Sequence, residues 1–339
     1  MWKKTILITG GLGYIWSHAV VEFEKAWYRT VIVDNLSNSY MITLKRISKI
    51  LWYTPFFYEV DLRNRVGLSA VFKKFKFDGV LHFAGAKSPF ESQENPLYYY
   101  NNNMSAGVNL FDLMDVYRVK NIVFSSSANV YAANNVSPVA ESWELWPNNP
   151  YGRTKYLMEQ ILEDLHKFAS FNVIHLRYFN PIGSHTSGLI WEHLDGIPNN
   201  IFPYIMKVAA SKLDSFKVFG WDYDTIDGSW VRDYIDINDL VHGHLLAYDF
   251  LTKSRESVMD VFNLWTWSWL SVLELIKAVE KELHLKVKYE VTWRRAWDLA
   301  EVYCDTSKAN KTLWFKTKVS VDQSIANTWK FYNNELYEK

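Results

Sequence analysis

The stretch Lys4-Thr5-Ile6-Leu7-Ile8-Thr9-Gly10-Gly11-Leu12-Gly13-Tyr14-Ile15-Trp16 constrains the fold of this chain more than any other. Ile6 to Ile8 read as a buried strand, and a glycine-rich turn follows at once. From Tyr14 to Lys25 the pattern becomes helical, with Ile15, Ala19, Val20 and Phe23 on one face. A strand, a tight turn and a helix in that order let α/β proteins hold a pyrophosphate on backbone N–H groups at a helix N-terminus. Glycine is needed because the ligand meets the backbone and the turn takes unusual dihedral angles. Gly10 and Gly13 satisfy the spacing, but Trp16 stands where a third glycine belongs. Val31-Ile32-Val33-Asp34 adds a second apolar strand ending in an acid about 20 residues on, as recognition of an adenosine ribose requires. Together they predict a dinucleotide site.

The first half of the chain repeats this alternation. A polar loop, Asn35 to Tyr40, leads to a helical segment ending near Lys49. Strands are expected over Phe56–Asp61, Gly79–Phe83 and Asn121–Ser127, and helices over Arg65–Phe75 and Pro96–Tyr117. Repeated βα units imply a doubly wound parallel sheet, a Rossmann fold, with ligands at the carboxyl ends of the strands. Beyond Tyr178 the alternation fades. A strand at Phe216–Phe219 and helices near Ile237–Leu251 and Ser271–Leu283 suggest a smaller α/β lobe. The expected division is a dinucleotide domain over 1–179 and a substrate lobe over 180–339. No linker separates them, so the two are expected to be interwoven, with part of 232–265 returning to the first domain.

Lysine plus arginine and aspartate plus glutamate both total 37 in 339 residues. That neutral balance gives no basic field for nucleic acid or an acidic membrane surface. A single cysteine, Cys304, excludes an internal disulfide framework and suits a reducing cytoplasm. No uncharged run is long enough to span a bilayer.

The chemistry is carried by Tyr151-Gly152-Arg153-Thr154-Lys155, which opens just after Pro150. Tyr151 and Lys155 are one helical turn apart. On a shared face, the lysine charge is expected to lower the phenol pKa and make Tyr151 a usable base. Ser127, ending the serine-rich strand, can hydrogen-bond the same substrate oxygen.

With these residues in place the chain resembles the extended short-chain dehydrogenases/reductases, and within them the UDP-glucose 4-epimerases. The matching motifs run nearly end to end: Thr9 to Ile15, Asp34-Asn35-Leu36, His82-Phe83-Ala84-Gly85, Ser125 to Tyr131, Asn149-Pro150-Tyr151-Gly152, Leu176 to Pro181, Gly196 to Asn200, Val231 to Ile235 and Arg294-Arg295. The resemblance implies NAD as cofactor, with Gly10, Gly13, Tyr14 and Ile15 along its pyrophosphate. Asp34, Asn35, Asn38 and Ser39 would surround the adenosine ribose, and Asp61 with Leu62 the adenine. Phe83, Ala84, Gly85 and Lys87 would line the middle of the cofactor, Asn102 and Phe179 its nicotinamide side. Ser127, Tyr151 and Lys155 would be catalytic, with no metal. Asn180, Asn200, Ile201, Phe219, Arg232, Arg295 and Asp298 would hold UDP-glucose or UDP-galactose, the arginines answering the diphosphate. The family also implies a homodimer built on helices around Pro96–Tyr117 and Tyr151–Phe168, and it places at Val302 a gate for larger 2-acetamido sugars. A nucleotide-sugar 4,6-dehydratase would need an Asp-Glu pair after the serine, where this chain has Ala128 and Asn129. A non-catalytic NAD(H)-binding regulator would not need Ser127, Tyr151 and Lys155 together.

One departure recurs. The chain has 16 tryptophans and 14 glycines, although glycine is normally among the commonest residues. Trp16, Trp27, Trp221, Trp230, Trp265, Trp267, Trp269 and Trp297 stand at glycine or turn positions, and Trp2, Trp52, Trp143, Trp146, Trp191, Trp293 and Trp314 in loop-like contexts. Only Trp329 falls where the family has tryptophan. Glycine at the other fifteen would give 29 glycines and one tryptophan, close to the usual glycine share of about 7%. One codon read in two ways would leave such a pattern.

Overall fold

The computed structural model describes residues 3–178, 180–192, 196–198, 200–266, 269–294 and 299–337. In the first half, strands β1 (Thr5–Thr9), β2 (Arg29–Asp34), β3 (Phe56–Glu59), β4 (Gly79–His82), β5 (Asn121–Ser125) and β6 (Asn172–Arg177) alternate with helices. These are α1 (Tyr14–Lys25), α2 (Met41–Leu51), α3 (Arg65–Lys74), α4 (Pro89–Glu94), α5 (Pro96–Tyr99), α6 (Ser105–Val116) and α7 (Pro150–Ala169). Parallel pairing joins all six strands. The central ones are almost wholly buried because helices cover both faces, which is why they read as continuous apolar runs.

After β6 the chain makes a detour through β7 (Asn180–Ile182), α8 (Ile201–Ala209), β8 (Phe216–Phe219) and β9 (Val231–Asp236). It then comes back. Helix α9 (Ile237–Lys253) packs against α1, and β10 (Met259–Asn263) pairs in parallel with β6 as the last strand of a seven-stranded sheet, ordered β10-β6-β5-β4-β1-β2-β3. The remaining elements are β11 (Trp269–Ser271), α10 (Val272–Leu283), β12 (Tyr289–Thr292), β13 (Glu301–Val302), α11 (Ser307–Thr312) and α12 (Val321–Tyr337). Strands β11 and β13 flank β9, β7 also pairs with it, and β12 pairs with β8 in a two-stranded ribbon. Among the described residues, no helix is long and apolar enough to cross a membrane.

The long helix expected over Pro96–Tyr117 is broken in the middle. Tyr100–Met104 forms a π-helical turn between α5 and α6. Such turns often mark functional sites, and this one carries Asn102 and Asn103 to the carboxyl edge of the sheet. Asn103 is buried. Its Oδ1 accepts from Ala86 N at 2.8 Å, and its Nδ2 donates to Thr154 Oγ1 at 3.0 Å, tying the loop after β4 to α7.

Eight described non-glycine residues have left-handed φ, and three are tryptophan: Trp27 (+67°), Trp52 (+64°) and Trp314 (+57°). Each follows a helix directly or one residue later. A Cβ in that region costs roughly 1–2 kcal/mol. Trp27 sits in a complete Schellman motif, with Tyr28 N donating to Phe23 O and Trp27 N to Glu24 O. That is the place where helices most often end on glycine.

Candidate functional site

A groove of about 970 Å³ runs along the carboxyl ends of the strands, where ligands bind in folds of this kind. It begins at the turn after β1. Gly10 has φ +71°, and a Cβ there would lie 3.1 Å from the Cα of Ala84. Only glycine lets the turn and the loop after β4 approach so closely. Gly13 is the N-cap of α1 and makes no side-chain cap bond, so the first N–H groups of the helix face the groove. Leu12, Gly13, Tyr14 and Ile15 all line it.

The end of β2 supplies the acid. Asp34 is buried, and its carboxylate accepts from Leu12 N at 3.0 Å, Leu36 N at 2.9 Å and Ser39 Oγ at 2.7 Å. Asn35 donates to Asp61 at 2.9 Å, and Arg63 pairs with Asp61 at 2.7 Å, holding that carboxyl well below its usual range. Asn38 and Leu62 line the same end. Along the middle lie Phe83, Ala84, Gly85, Lys87 and Asn102. The Lys87 ammonium reaches across to Glu192 at 2.6 Å, joining the loop after β4 to the segment beyond β7. These features suit a dinucleotide: an open helix N-terminus, a turn without side chains, and an acid at the ribose end. One side chain disagrees. The Trp16 indole lines the groove, stacks on Phe83 with centroids 3.8 Å apart, and sets its Cδ1 2.8 Å from where a Gly13 Cβ would be.

The other end of the groove is built by β5 and α7. Asn149 caps α7, its Oδ1 accepting from Gly152 N at 2.8 Å, and Pro150 opens the first turn. A Cβ on Gly152 would fall 2.4 Å from the carbonyl oxygen of Asn129, so glycine here lets the helix press against the loop that carries Ser127. Tyr151, Lys155 and Ser127 are all buried and line the groove together. The Lys155 Nζ donates to the Ser125 carbonyl at 2.6 Å and lies 6.0 Å from the centre of the Tyr151 ring.

The expected lowering of the Tyr151 pKa by Lys155 is not what this geometry gives. Burial pushes the phenol up to about 12, opposed by a hydrogen bond with Ser127. The same burial brings Lys155 down to about 8, opposed by the Glu159 carboxylate. Desolvation outweighs the lysine charge because Nζ is turned to a backbone carbonyl rather than to the phenol oxygen.

Behind Lys155 lies a network that sequence reasoning missed. Glu159, one turn along α7, pairs with Arg177 at the end of β6, through contacts of 3.0 and 2.6 Å, and accepts from Ser126. Arg177 donates onward to Tyr131, whose hydroxyl reaches Asn263 at the end of β10 at 2.8 Å. The i, i+4 spacing of Lys155 and Glu159 was a signal for the first link. The rest joins distant segments, and no local pattern announces it.

On the far wall, Asn180, Asn200, Ile201 and Arg232 line the groove, together with Val302. Phe219 does not. It ends β8, which among the described residues pairs with β12. Phe179, Arg295 and Asp298 lie outside the described residues.

The chain matches the model of the NAD dependent epimerase/dehydratase family over residues 6–263. It belongs to that family. Among epimerase/dehydratase relatives it is 43% identical over 332 residues to a UDP-glucose 4-epimerase of Bacillus subtilis (strain 168), covering 98% of this chain and 97% of that protein. It is 42% identical over 338 residues to UDP-glucose 4-epimerase 2 of Arabidopsis thaliana, covering 98% and 96%. It also superposes, with a TM-score of 0.95 and 40% identity, on a crystal structure of a UDP-glucose 4-epimerase from Stenotrophomonas maltophila with bound NAD and formylated UDP-arabinopyranose, covering 99% and 100% of the two chains.

Proposed function

We propose that this chain is an NAD-dependent UDP-glucose 4-epimerase, an isomerase that interconverts UDP-galactose and UDP-glucose through a 4-keto sugar. One observation carries the reading: Ser127, Tyr151 and Lys155 share one groove with the glycine turn after β1 and the acids at the ends of β2 and β3. Bound NAD would supply the hydride acceptor for the reaction at the sugar C4. Tyr151 takes the proton of the sugar 4-hydroxyl and later returns it. Its own burial resists ionisation and the Ser127 hydrogen bond opposes that; Lys155, whose Nζ here faces the Ser125 carbonyl, would add its charge by turning to the phenolate. Ser127 orients the 4-oxygen. Arg232, Asn180 and Asn200 would bind the UDP portion, together with Arg295 and Asp298, and that remote binding energy would keep the ketone in place while the sugar turns over. At the cofactor, Gly10, Gly13, Tyr14 and Ile15 would meet the pyrophosphate. Asp34, Asn35, Asn38, Ser39, Asp61 and Leu62 would meet the adenosine, and Phe83 to Lys87 with Asn102 and Phe179 the remainder.

In this reading residues 1–179, with α9 and β10, form the cofactor domain, and the rest of 180–339 the sugar lobe. The protein works in galactose and nucleotide-sugar metabolism, and the one cysteine, buried at Cys304, suits a reducing cytoplasm. It acts as a homodimer. Leu110 and Leu113 are core, but Leu97, Val108, Val116, Leu157 and Phe168 are exposed on α5, α6 and α7, where a partner's helices would cover them. Light scattering at micromolar concentration should give twice the chain mass, and a monomer would sink the dimer. The activity is tested by incubating purified protein with UDP-galactose and following sugar C4 and NADH fluorescence together. Inversion at C4 without net NADH release is expected. A 4-keto-6-deoxy product would favour a dehydratase, and cofactor binding without turnover a regulator.

A further inference from the structure

We infer that Trp16 and fourteen other tryptophans of this chain, all but Trp329, are glycine in the native protein, inserted at UGA codons by a host that reads UGA as glycine. The position with the greatest consequence is 16. There the indole leans on Gly10 and Gly13, the two residues kept free of side chains for a ligand, and covers Phe83. A glycine at 16 clears the turn, and the dinucleotide subsite is then whole.

Three kinds of observation support it, each at particular positions. The first is conformational. Trp27, Trp52 and Trp314 have φ of +67°, +64° and +57°, a region where a bulky residue is an outlier and glycine is ordinary. Their indoles are 77%, 92% and 80% exposed, so no burial compensates for the backbone. The second is polar. Trp230 is buried in the groove wall with no hydrogen-bond partner for its indole N–H among the described residues, whereas tryptophan normally finds one when buried. The third is the exception. Trp329 lies inside α12, where a glycine would cost about 1 kcal/mol of helix stability. Drift would scatter replacements over many residue types. A single codon moves one residue type to one other, and a surplus of tryptophan beside a shortage of glycine, 16 against 14, has that form.

The gene decides the matter. Codon 329 should be UGG and the other fifteen UGA, and UGG at the fifteen would overturn the inference. Peptides from the native host should carry glycine masses at positions 16, 27, 52 and 314, and a tryptophan mass at 16 would overturn it equally. The protein with all fifteen glycines should bind NAD at least about tenfold more tightly than the Trp16 form of that same protein. Equal binding would refute the role given to position 16. UGA codons with no NAD binding by either form would uphold the recoding and defeat the dinucleotide reading instead.

Discussion

The two ends of the groove are built on opposite principles. At the β5–α7 end the chemistry is in side chains: a phenol, an ammonium, a hydroxyl, and behind them a buried ion pair whose members are bonded to one another. Its one indispensable glycine, Gly152, is present. At the β1–α1 end the chemistry is in backbone N–H groups, and the side chains matter mainly by being absent. An indole at position 16 lines the groove at the second end and leaves the contacts of Tyr151, Lys155 and Ser127 as they are. It breaks the second, because there the missing Cβ is itself the functional group.

The largest expected effect separates the two ends directly. In the protein with glycine at the fifteen positions, Tyr151→Phe should lower kcat by about 10²–10⁴, the usual cost of a lost general base, and leave the bound NAD content unchanged. A parallel fall in NAD content would mean the ends are not separable. The converse change is Gly10→Ala, at φ +71° and 3.1 Å from Ala84. Its strain of roughly 1–2 kcal/mol should weaken NAD by about tenfold, with kcat at saturating NAD little altered. Equilibrium dialysis and initial rates on the same sample test both.

The same contrast explains what was legible in the sequence. Helix α1 begins and ends at the predicted residues because a glycine turn and a clean apolar face mark it. Ser127, Tyr151 and Lys155 were legible because their residue types and spacing name the chemistry. Strand β6 was harder. His175 and Arg177 interrupt its apolar run: a buried carboxylate on α7 pairs with Arg177, while burial lowers the His175 pKa to about 4 and so favours the neutral ring. Asn103 gave no signal beyond a run of three asparagines. Its role depends on a π-helical turn, and the extra residue in that turn is fixed by contacts to Ala86 and Thr154 rather than by local propensity. The return of α9 and β10 to the main sheet is a long-range pairing, and periodicity alone cannot assign a strand to one sheet rather than another.

A smaller effect sharpens the catalytic side. Burial brings the Lys155 pKa down to about 8. Its positive charge is lost as pH rises, so kcat should fall through pH 8, by less than about tenfold over the first unit. Glu159 opposes that lowering, so Glu159→Gln should move the fall to lower pH. Breaking the buried pair should also cost about 3–5 kcal/mol of stability in urea denaturation. An unmoved alkaline limb in a folded Glu159→Gln protein would show that Lys155 does not carry the limb.

The smallest effect on the main reaction is expected at Val302, on neither end of the groove but on its sugar wall. Val302 pairs in register with Arg232 across β13 and β9, and both line the groove. A small β-branched side chain there leaves room beside the position expected for the sugar. A tyrosine at 302 would fill that room without touching the turn after β1 or the Tyr151 corner. The protein with fifteen glycines should therefore epimerise UDP-GalNAc as well as UDP-galactose. Val302→Tyr should keep UDP-galactose turnover within about threefold and lose UDP-GalNAc by about tenfold or more, a range that one mismatched group in a shaped pocket can supply. Assays with the two substrates side by side settle it. Equal losses for both would mean that residue 302 supports the strand rather than gates the sugar, and no UDP-GalNAc turnover in the Val302 protein would place the gate elsewhere on that wall.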